Sequence, residues 1–453
     1  MNIKVYKDLA NKGSGPKKLA NQFLNDYYRE KQIEYPINPF EILKRLKIKF
    51  VFRDFNNAEG IYIPAESKRD FPIIGFNINR PIQRQRFTAA HELCHHLKDS
   101  SKQFICVSYK NNSIEKYAND FAAELLMPTD EFRKQVNKYI HQGTIKDVDI
   151  LKISQYFGVS YEACCRKIVY EISDYKDTNY DVIKKHIDEF GPNTQKTKLK
   201  IYDTVLYEQL FNSISDIFNI FASSFSCEVF KSEYIYYDSR MEGIKIEREK
   251  AGDIVADLRL NKQNSKFCNE TNQNIVELAG LTFVYDYAFE NANSNISIYD
   301  SKKLNELLYS TAPHPENAGQ YRNSNTYVKE AKFETIDYSN IAAEMMYLGN
   351  DVDTLINDTE LSINDYIKSV VRIHHRMTII HPFKDGNGRT SRSFSNMLLL
   401  RKKLPPIFFQ NKSKEEYKKA LKIADTENIY DPLYEIFYKA MLNSFAILTD
   451  NIH

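Results

Sequence analysis

Short apolar runs at residues 49–55, 60–65 and 72–77, rich in Phe, Ile, Tyr and Val, predict three strands. Just ahead of them, Asn38-Pro39-Phe40-Glu41 sets up a helix start. Asn38 is the cap, Pro39 takes the first helical position and Glu41 closes a capping box. From Arg84 onward the period lengthens, and Phe87, Ala90, Cys94 and Leu97 recur on one helical face. A second helix is predicted over 114–127, stopped by Pro128. Polar and charged residues then dominate 173–199, with Gly191-Pro192-Asn193-Thr194 as a breaker, so a polar linker is placed at 173–200. Helical spacing governs most of the chain from Ile201, with a short β-hairpin predicted at 326–337. The pattern divides the chain into an α+β domain over 1–172 and a mainly α-helical domain over 201–453.

Composition agrees with a folded two-domain protein. The 453 residues are 42% hydrophobic and 27% charged, enough apolar material for real cores. Lys and Arg (62) nearly balance Asp and Glu (60), and this net +2 argues against nucleic acid as a direct partner. Six cysteines with no CxxC pair fit a reduced compartment better than a disulfide framework. No apolar run reaches the roughly 18–20 residues of a membrane span. A cytoplasmic protein with no membrane partner is the expectation.

Two constellations carry chemistry. In Phe87-Thr88-Ala89-Ala90-His91-Glu92-Leu93-Cys94-His95-His96-Leu97, an HExxH falls on a predicted helix. Residues four apart share a helix face, so His91 and His95 can chelate one ion, and neutral imidazoles suit Zn²⁺. Glu92 beside them can reach a water at the metal rather than the metal itself. Cys94 falls on the apolar face and reads as a buried small hydrophobe. His96 lies about 100° round the helix from His95 and reads as a neighbour of the site or a surface group. A catalytic zinc needs a third protein ligand, and the candidates lie in Ile114-Glu115…Ala118-Asn119…Glu124…Met127-Pro128.

HExxH followed by ExxAN-x-FAAELLMP resembles the ImmA/IrrE family of zinc metallopeptidases. Arg86-Phe87-Thr88-Ala89-Ala90 and Phe157-Gly158-Val159-Ser160 resemble it too. The likeness covers about residues 15–170 and implies a zincin-like fold with Glu115 as the third zinc ligand. Glu124 is the rival, although a solvated helix position suits it better. Members of that family couple to helix-turn-helix repressors, which implies a repressor- or antitoxin-like partner.

The second constellation is His381-Pro382-Phe383-Lys384-Asp385-Gly386-Asn387-Gly388-Arg389-Thr390-Ser391-Arg392. A Gly-Asn-Gly turn opening a helix offers free N–H groups to an anion, and the helix dipole favours negative charge there. Asp385 is a hard oxygen ligand for Mg²⁺. Arg389 and Arg392, three apart, can face one phosphate chain. His381 has a pKa suited to taking a proton from an attacking hydroxyl. These residues describe a Mg²⁺-nucleotide phosphoryl or nucleotidyl transferase.

The string resembles the Fic signature HPFx[D/N]GNGRxxR at every defined position, and Gly319-Gln320-Tyr321-Arg322 resembles the segment before that family's flap. The likeness spans about residues 230–410. It implies transfer of AMP from ATP to a Tyr, Ser or Thr hydroxyl of a protein, itself included. In that resemblance His381 is the base and Asp385 the Mg²⁺ ligand. Phe383, Asp385, Gly386, Asn387, Gly388, Arg389 and Arg392 bind the nucleotide, and 326–337 is the flap. Upstream, Tyr237-Asp238-Ser239-Arg240-Met241-Glu242-Gly243 resembles the inhibitory [S/T]xxxE[G/N] helix, with Ser239, Glu242 and Gly243 matching its SxxEG variant. Asp238 departs from the expected Ser or Thr. In that family the Glu pairs with the second Arg of the signature, here Arg392, and blocks the γ-phosphate.

The leading expectation is a regulatory enzyme in which a zinc peptidase domain senses or activates a Glu242-restrained AMP transferase. A second reading makes the peptidase the effector and the Fic domain its regulator. A third makes the N-terminal domain a non-catalytic sensor or binding module.

Overall fold

The computed structural model describes residues 3–451 apart from 30, 68, 100–103, 108–112, 143, 172–179, 216–223, 262–263, 269, 312–317, 328–334 and 411–412. The chain divides into two compact units, Met1–Ile214 and Ser215–His453. The first is α+β and the second mainly helical, as the residue pattern predicts.

The first unit opens with α1 (Ile3–Asn11), α2 (Pro16–Tyr28) and α3 (Pro39–Arg45). Strands β1 (Lys49–Arg53), β2 (Ala58–Ile63) and β3 (Ile73–Asn77) lead into α4 (Ile82–Lys98). Strand β4 (Phe104–Val107), which the sequence pattern does not predict, precedes α5 (Ser113–Leu126) and α6 (Thr129–Asn137). Helices α7 (Asp147–Phe157), α8 (Tyr161–Glu171), α9 (Tyr180–Phe190), α10 (Pro192–Lys198) and α11 (Thr204–Ile214) complete it. The sheet runs β1-β3-β2-β4, parallel between β1 and β3 and antiparallel elsewhere.

Local chemistry explains most of these boundaries. Asn38 caps α3, its Oδ1 accepting from the N–H groups of Phe40 and Glu41. Glu41 departs from the expected capping box, since its carboxylate takes Arg45 at 2.9 Å instead. Phe40, Phe50 and Phe76 meet edge-to-face, with centroids 5.7–6.4 Å apart, and fix α3 on the sheet. Helix α5 packs between α2 and α4, burying Leu19, Phe23, Phe121 and Leu125.

The expected linker at 173–200 differs from what is seen. Its described part forms α9 and α10, and α11 packs on α3 and α4 inside the first unit. Helix α11 buries Leu206, Leu210, Phe211 and Ile214 there, and fully buried Arg86 ties it in. Its Nε donates to the Gly158 carbonyl at 3.0 Å, while its Nη groups reach the Ile37 carbonyl and Oε1 of Gln209 on α11. The lone Gln209 amide gives no periodic signal for such a contact.

The second unit comprises α12 (Ser224–Met241), α13 (Arg248–Asn261), α14 (Gln273–Asn291) and α15 (Tyr299–Leu308). After a 3₁₀ turn at Tyr338–Asn340 follow α16 (Ile341–Asn357), α17 (Ile363–Ile380), α18 (Asn387–Arg401), α19 (Lys414–Glu427) and α20 (Asp431–Asn451). The centre of the expected hairpin at 326–337 lies outside the described residues. Its ends are tied together, with Thr335 Oγ1 donating to the Thr326 carbonyl and Asn325 to Asp337.

Helix α14 packs against α12, α15 and α18, and one glycine sets its closest approach. A Cβ at Gly280 would lie 1.9 Å from the carbonyl oxygen of Leu308, the last residue of α15. Backbone cannot move aside as a flexible side chain can. Gly280→Ala is therefore expected to lower the stability of the second unit by about 2–3 kcal/mol, as overpacked cores do. The check is calorimetry of the full chain, in which only the second unit's transition should fall.

Candidate functional site

In the first unit α4 and α5 bring three ligand-type side chains together. His91 Nε2 and His95 Nε2 lie 3.1 Å apart, and Glu115 on α5 comes within 3.1 Å of the first and 3.8 Å of the second. All three are buried, and one ligand atom from each falls within 4.8 Å of the others. The far side of each ring is oriented. His91 Nδ1 meets Oδ1 of Asn119 at 2.9 Å, and Asp99 approaches His95 Nδ1 at 3.6 Å. With Nδ1 donating to Asn119, Nε2 of His91 keeps its lone pair for a metal. Two imidazoles and a carboxylate suit a tetrahedral Zn²⁺ with one open position.

Glu92, one residue on, is fully buried, and neither of its carboxylate oxygens has a hydrogen-bond partner. Burial, reinforced by the charge of Glu115, pushes its pKa well above the usual carboxylate range. Gly60 on β2 makes space for it, since a Cβ there would fall 2.4 Å from Thr88 Cγ2 and 3.3 Å from Glu92 Oε1.

Three neighbours complete the picture. Cys94 is buried, as the apolar face implies. His96 is buried too, its Nδ1 2.9 Å from the Tyr62 hydroxyl on β2, and desolvation lowers its pKa to about 4. Glu124 is not the solvated residue the helix pattern suggests, being only 1% exposed. It pairs with Lys167 of α8 at 2.9 Å and accepts from the Thr129 N–H at 2.9 Å, capping α6 where Pro128 has no side-chain acceptor.

In the second unit α17 ends at His381, which takes a left-handed conformation (φ 49°) and turns the chain towards α18. Arg322 holds that turn. Its Nε donates to the His381 carbonyl at 2.8 Å, its Nη1 to Ser324 and its Nη2 to Ile336 and Ile380. Asn387 closes the loop on itself, accepting from Phe383 N–H and donating to Phe383 C=O, both at 2.8 Å. Asn305 of α15 props it from below, donating to the Asp385 carbonyl at 3.0 Å and the Thr390 hydroxyl at 3.2 Å. Gly386 needs its left-handed φ of 76°, and a Cβ there would also meet Leu308 and Tyr309. The Asp385 side chain stays 75% exposed at the mouth of the loop, where its Oδ1 accepts from the Gly386 N–H at 2.7 Å and its carboxylate presents hard oxygen to a cation.

Both signature arginines are already engaged by carboxylates. Arg389 pairs with Glu277 of α14 at 2.7 Å. Arg392 pairs with Glu242 at 2.5 Å and with Asp238 through Nε. Glu242 Oε1 also lies 3.3 Å from where a Gly388 Cβ would be, so its carboxylate sits over the first turn of α18. Burial opposes the Glu242 charge, but Arg392 and Arg389 outweigh it and hold its pKa below the usual range. Ser239 faces elsewhere, donating to the Tyr236 carbonyl, and Gly243 (φ 87°) lets the chain leave α12.

Residues 43–169 match the family model of the IrrE N-terminal-like domain, and residues 295–399 match that of the Fic/DOC family. The chain carries one domain of each family. Curated relatives similar to it include protein adenylyltransferases. Fic-1 of Caenorhabditis elegans is 29% identical over 160 residues, 35% of this chain and 30% of its own length. Fic of Aedes aegypti is 27% identical over 156 residues, 34% of this chain and 30% of its own length. The chain thus spans under a third of these relatives. Among solved structures, a segment of C. elegans Fic-1 has a TM-score of 0.46 at 15% identity, over 72% of this chain and 98% of that one. A Fic-domain signalling protein of Bacteroides thetaiotaomicron has a TM-score of 0.41 at 20% identity, over 49% of this chain and 88% of that one. Among the described residues no helix is long and apolar enough to cross a membrane.

Sequence reasoning missed Asp99 beneath His95 in the IrrE-like domain, and Asn305 and Glu277 behind the Fic loop. Each arrives from another turn or helix, outside the local motif. The metal assignment has a direct check. Purified full-length protein should hold one zinc per chain, lose it in Glu115→Ala and keep it in Glu92→Gln. Full zinc occupancy in Glu115→Ala by elemental analysis would show that the third ligand is another residue.

Proposed function

We infer that the Fic domain transfers AMP from ATP to a hydroxyl side chain of a protein and is restrained by Glu242. One observation carries this reading: the Glu242 carboxylate sits over the first turn of α18 against Arg392. Free N–H groups, a helix dipole and two arginines make that turn an anion site. Glu242 fills it as the terminal phosphate of a nucleotide would, so productive binding requires its departure.

His381 is suited to the base role. Burial and then nearby Arg322 lower its pKa, against a backbone contact to Thr378 and the charge of Asp385 that raise it, which favours the neutral ring a base needs. In the proposed step the target hydroxyl oxygen bonds to the α-phosphorus and its proton passes to His381. The bond to the bridging oxygen breaks, and pyrophosphate leaves. The N–H groups of Asn387 and Gly388 at the start of α18 and the freed Arg392 stabilise the phosphate charge. Asp385, exposed at the mouth, would hold Mg²⁺, which supplies charge neutralisation between the phosphates.

The IrrE-like domain is read as a zinc peptidase. His91, His95 and Glu115 would hold the ion, whose chemistry is to polarise a carbonyl and acidify a water. Glu92 would hold and pass the proton. Its two partnerless buried oxygens favour this over a purely binding role, because a structural carboxylate is normally satisfied.

Glu242→Gly is expected to raise AMP transfer at least about tenfold, read by mass spectrometry of added protein and of the chain itself. His381→Ala in that background should abolish transfer while ATP binding persists. In the Glu242→Gly protein kcat/KM should fall on acidification, because the base must be unprotonated. The apparent pKa of that limb should lie below histidine's ordinary value. Equal transfer by wild type and Glu242→Gly would remove Glu242 from the inhibitory role.

A further inference from the structure

Arg392 meets two carboxylates, and they differ in kind. Its side chain is 6% exposed. Asp238, with a side chain 4% exposed, accepts from Nε, and its other oxygen accepts from the Tyr285 hydroxyl of α14 at 3.2 Å. Glu242, with a side chain 31% exposed, accepts from Nη2 at the solvent side. On a further side lies Tyr417 of α19, held by Nε2 of buried His374 at 2.7 Å. The inner edge of the guanidinium is thus anchored by a fixed wall, and only the outer edge faces a group with room to leave.

In direct contact, Arg392 is one cation between two anions, while Arg389, itself paired with Glu277, and Lys414 add a longer-range positive field at Glu242. Departure of a sole counter-ion would strand a buried guanidinium, which is strongly unfavourable. Here departure of Glu242 leaves a neutral pair of Arg392 and Asp238. The two carboxylates also repel one another across the shared cation.

We propose that Asp238 is a positioning residue that keeps Arg392 compensated and aimed while Glu242 comes and goes, and so makes the Glu242 contact weak enough to open. This rests on the reading that Arg392 receives a phosphate of the nucleotide. Replacing Asp238 by a neutral side chain then has two effects of opposite sign. In the closed state Glu242 becomes the sole counter-ion and binds harder, so basal transfer falls. In the open state Arg392 presents its full charge, so the nucleotide binds more tightly.

The test uses four full-length proteins: wild type, Asp238→Asn, Glu242→Gly and the double variant. Initial AMP-transfer rates and Mg²⁺·ATP affinity by titration calorimetry are read for each. Asp238→Asn should lower basal transfer about tenfold in the wild-type background and tighten ATP binding about three- to tenfold in the Glu242→Gly background. Asp238→Ser, which retains an acceptor for Nε, should show the same crossed signs. A merely structural role would weaken both readouts in both backgrounds. That result, no change in either, or loss of the thermal transition in both Asp238 variants overturns the proposal. If Glu242→Gly itself neither binds ATP nor gains transfer, the underlying transferase reading fails, which is a different outcome from failure of Asp238 alone.

Discussion

A guanidinium taken out of water needs oxygen at its edges, and this chain meets that demand at Arg86, Arg322 and Arg392. Arg86 is given the carbonyls of Ile37 and Gly158 and the amide oxygen of Gln209. Arg322 is given the carbonyls of His381, Ser324, Ile336 and Ile380. Where carbonyls serve, the arginine is a fixed rivet. Where a solvent-facing carboxylate serves, as Glu242 does at Arg392, the partner is an exchangeable anion, and the arginine becomes a place where another anion can compete.

The two sites share a building plan despite different chemistry. Each hangs its main groups on one helix and imports the remainder from a second. In the IrrE-like domain α4 supplies His91, Glu92 and His95, and α5 supplies Glu115. In the Fic domain the turn between α17 and α18 supplies the loop, and α12 supplies the carboxylate that covers it. Rigid helices hold the groups, and a small number of side-chain amides (Asn119, Asn305, Asn387) fix their orientation.

Legibility in the sequence followed locality. Three strands, the Asn38 cap and both site helices could be read because period and capping are properties of neighbouring residues. The pairing of Glu242 with Arg392 was legible only through resemblance, since 150 residues separate them. Glu124 misled because its partner Lys167 lies 43 residues on, and an acidic residue on an amphipathic helix ordinarily faces water. The stretch at 173–200 misled in the same way. Its composition is that of a linker, yet its described part is helical, and the following helix α11 joins the first unit by burying Leu206, Leu210, Phe211 and Ile214 and by a contact between Arg86 and Gln209, 123 residues apart.

That contact has a consequence for synthesis. The strands and the metal-site helices are complete by residue 126, but Arg86 has no final partner set until Gly158 and then Gln209 have been made. At roughly 5–20 residues per second, Arg86 keeps water on part of its guanidinium for several seconds or more before those partners exist. The IrrE-like domain therefore settles only when α11 clears the ribosome, just before the Fic domain begins to emerge. The order of translation makes the first domain finish late.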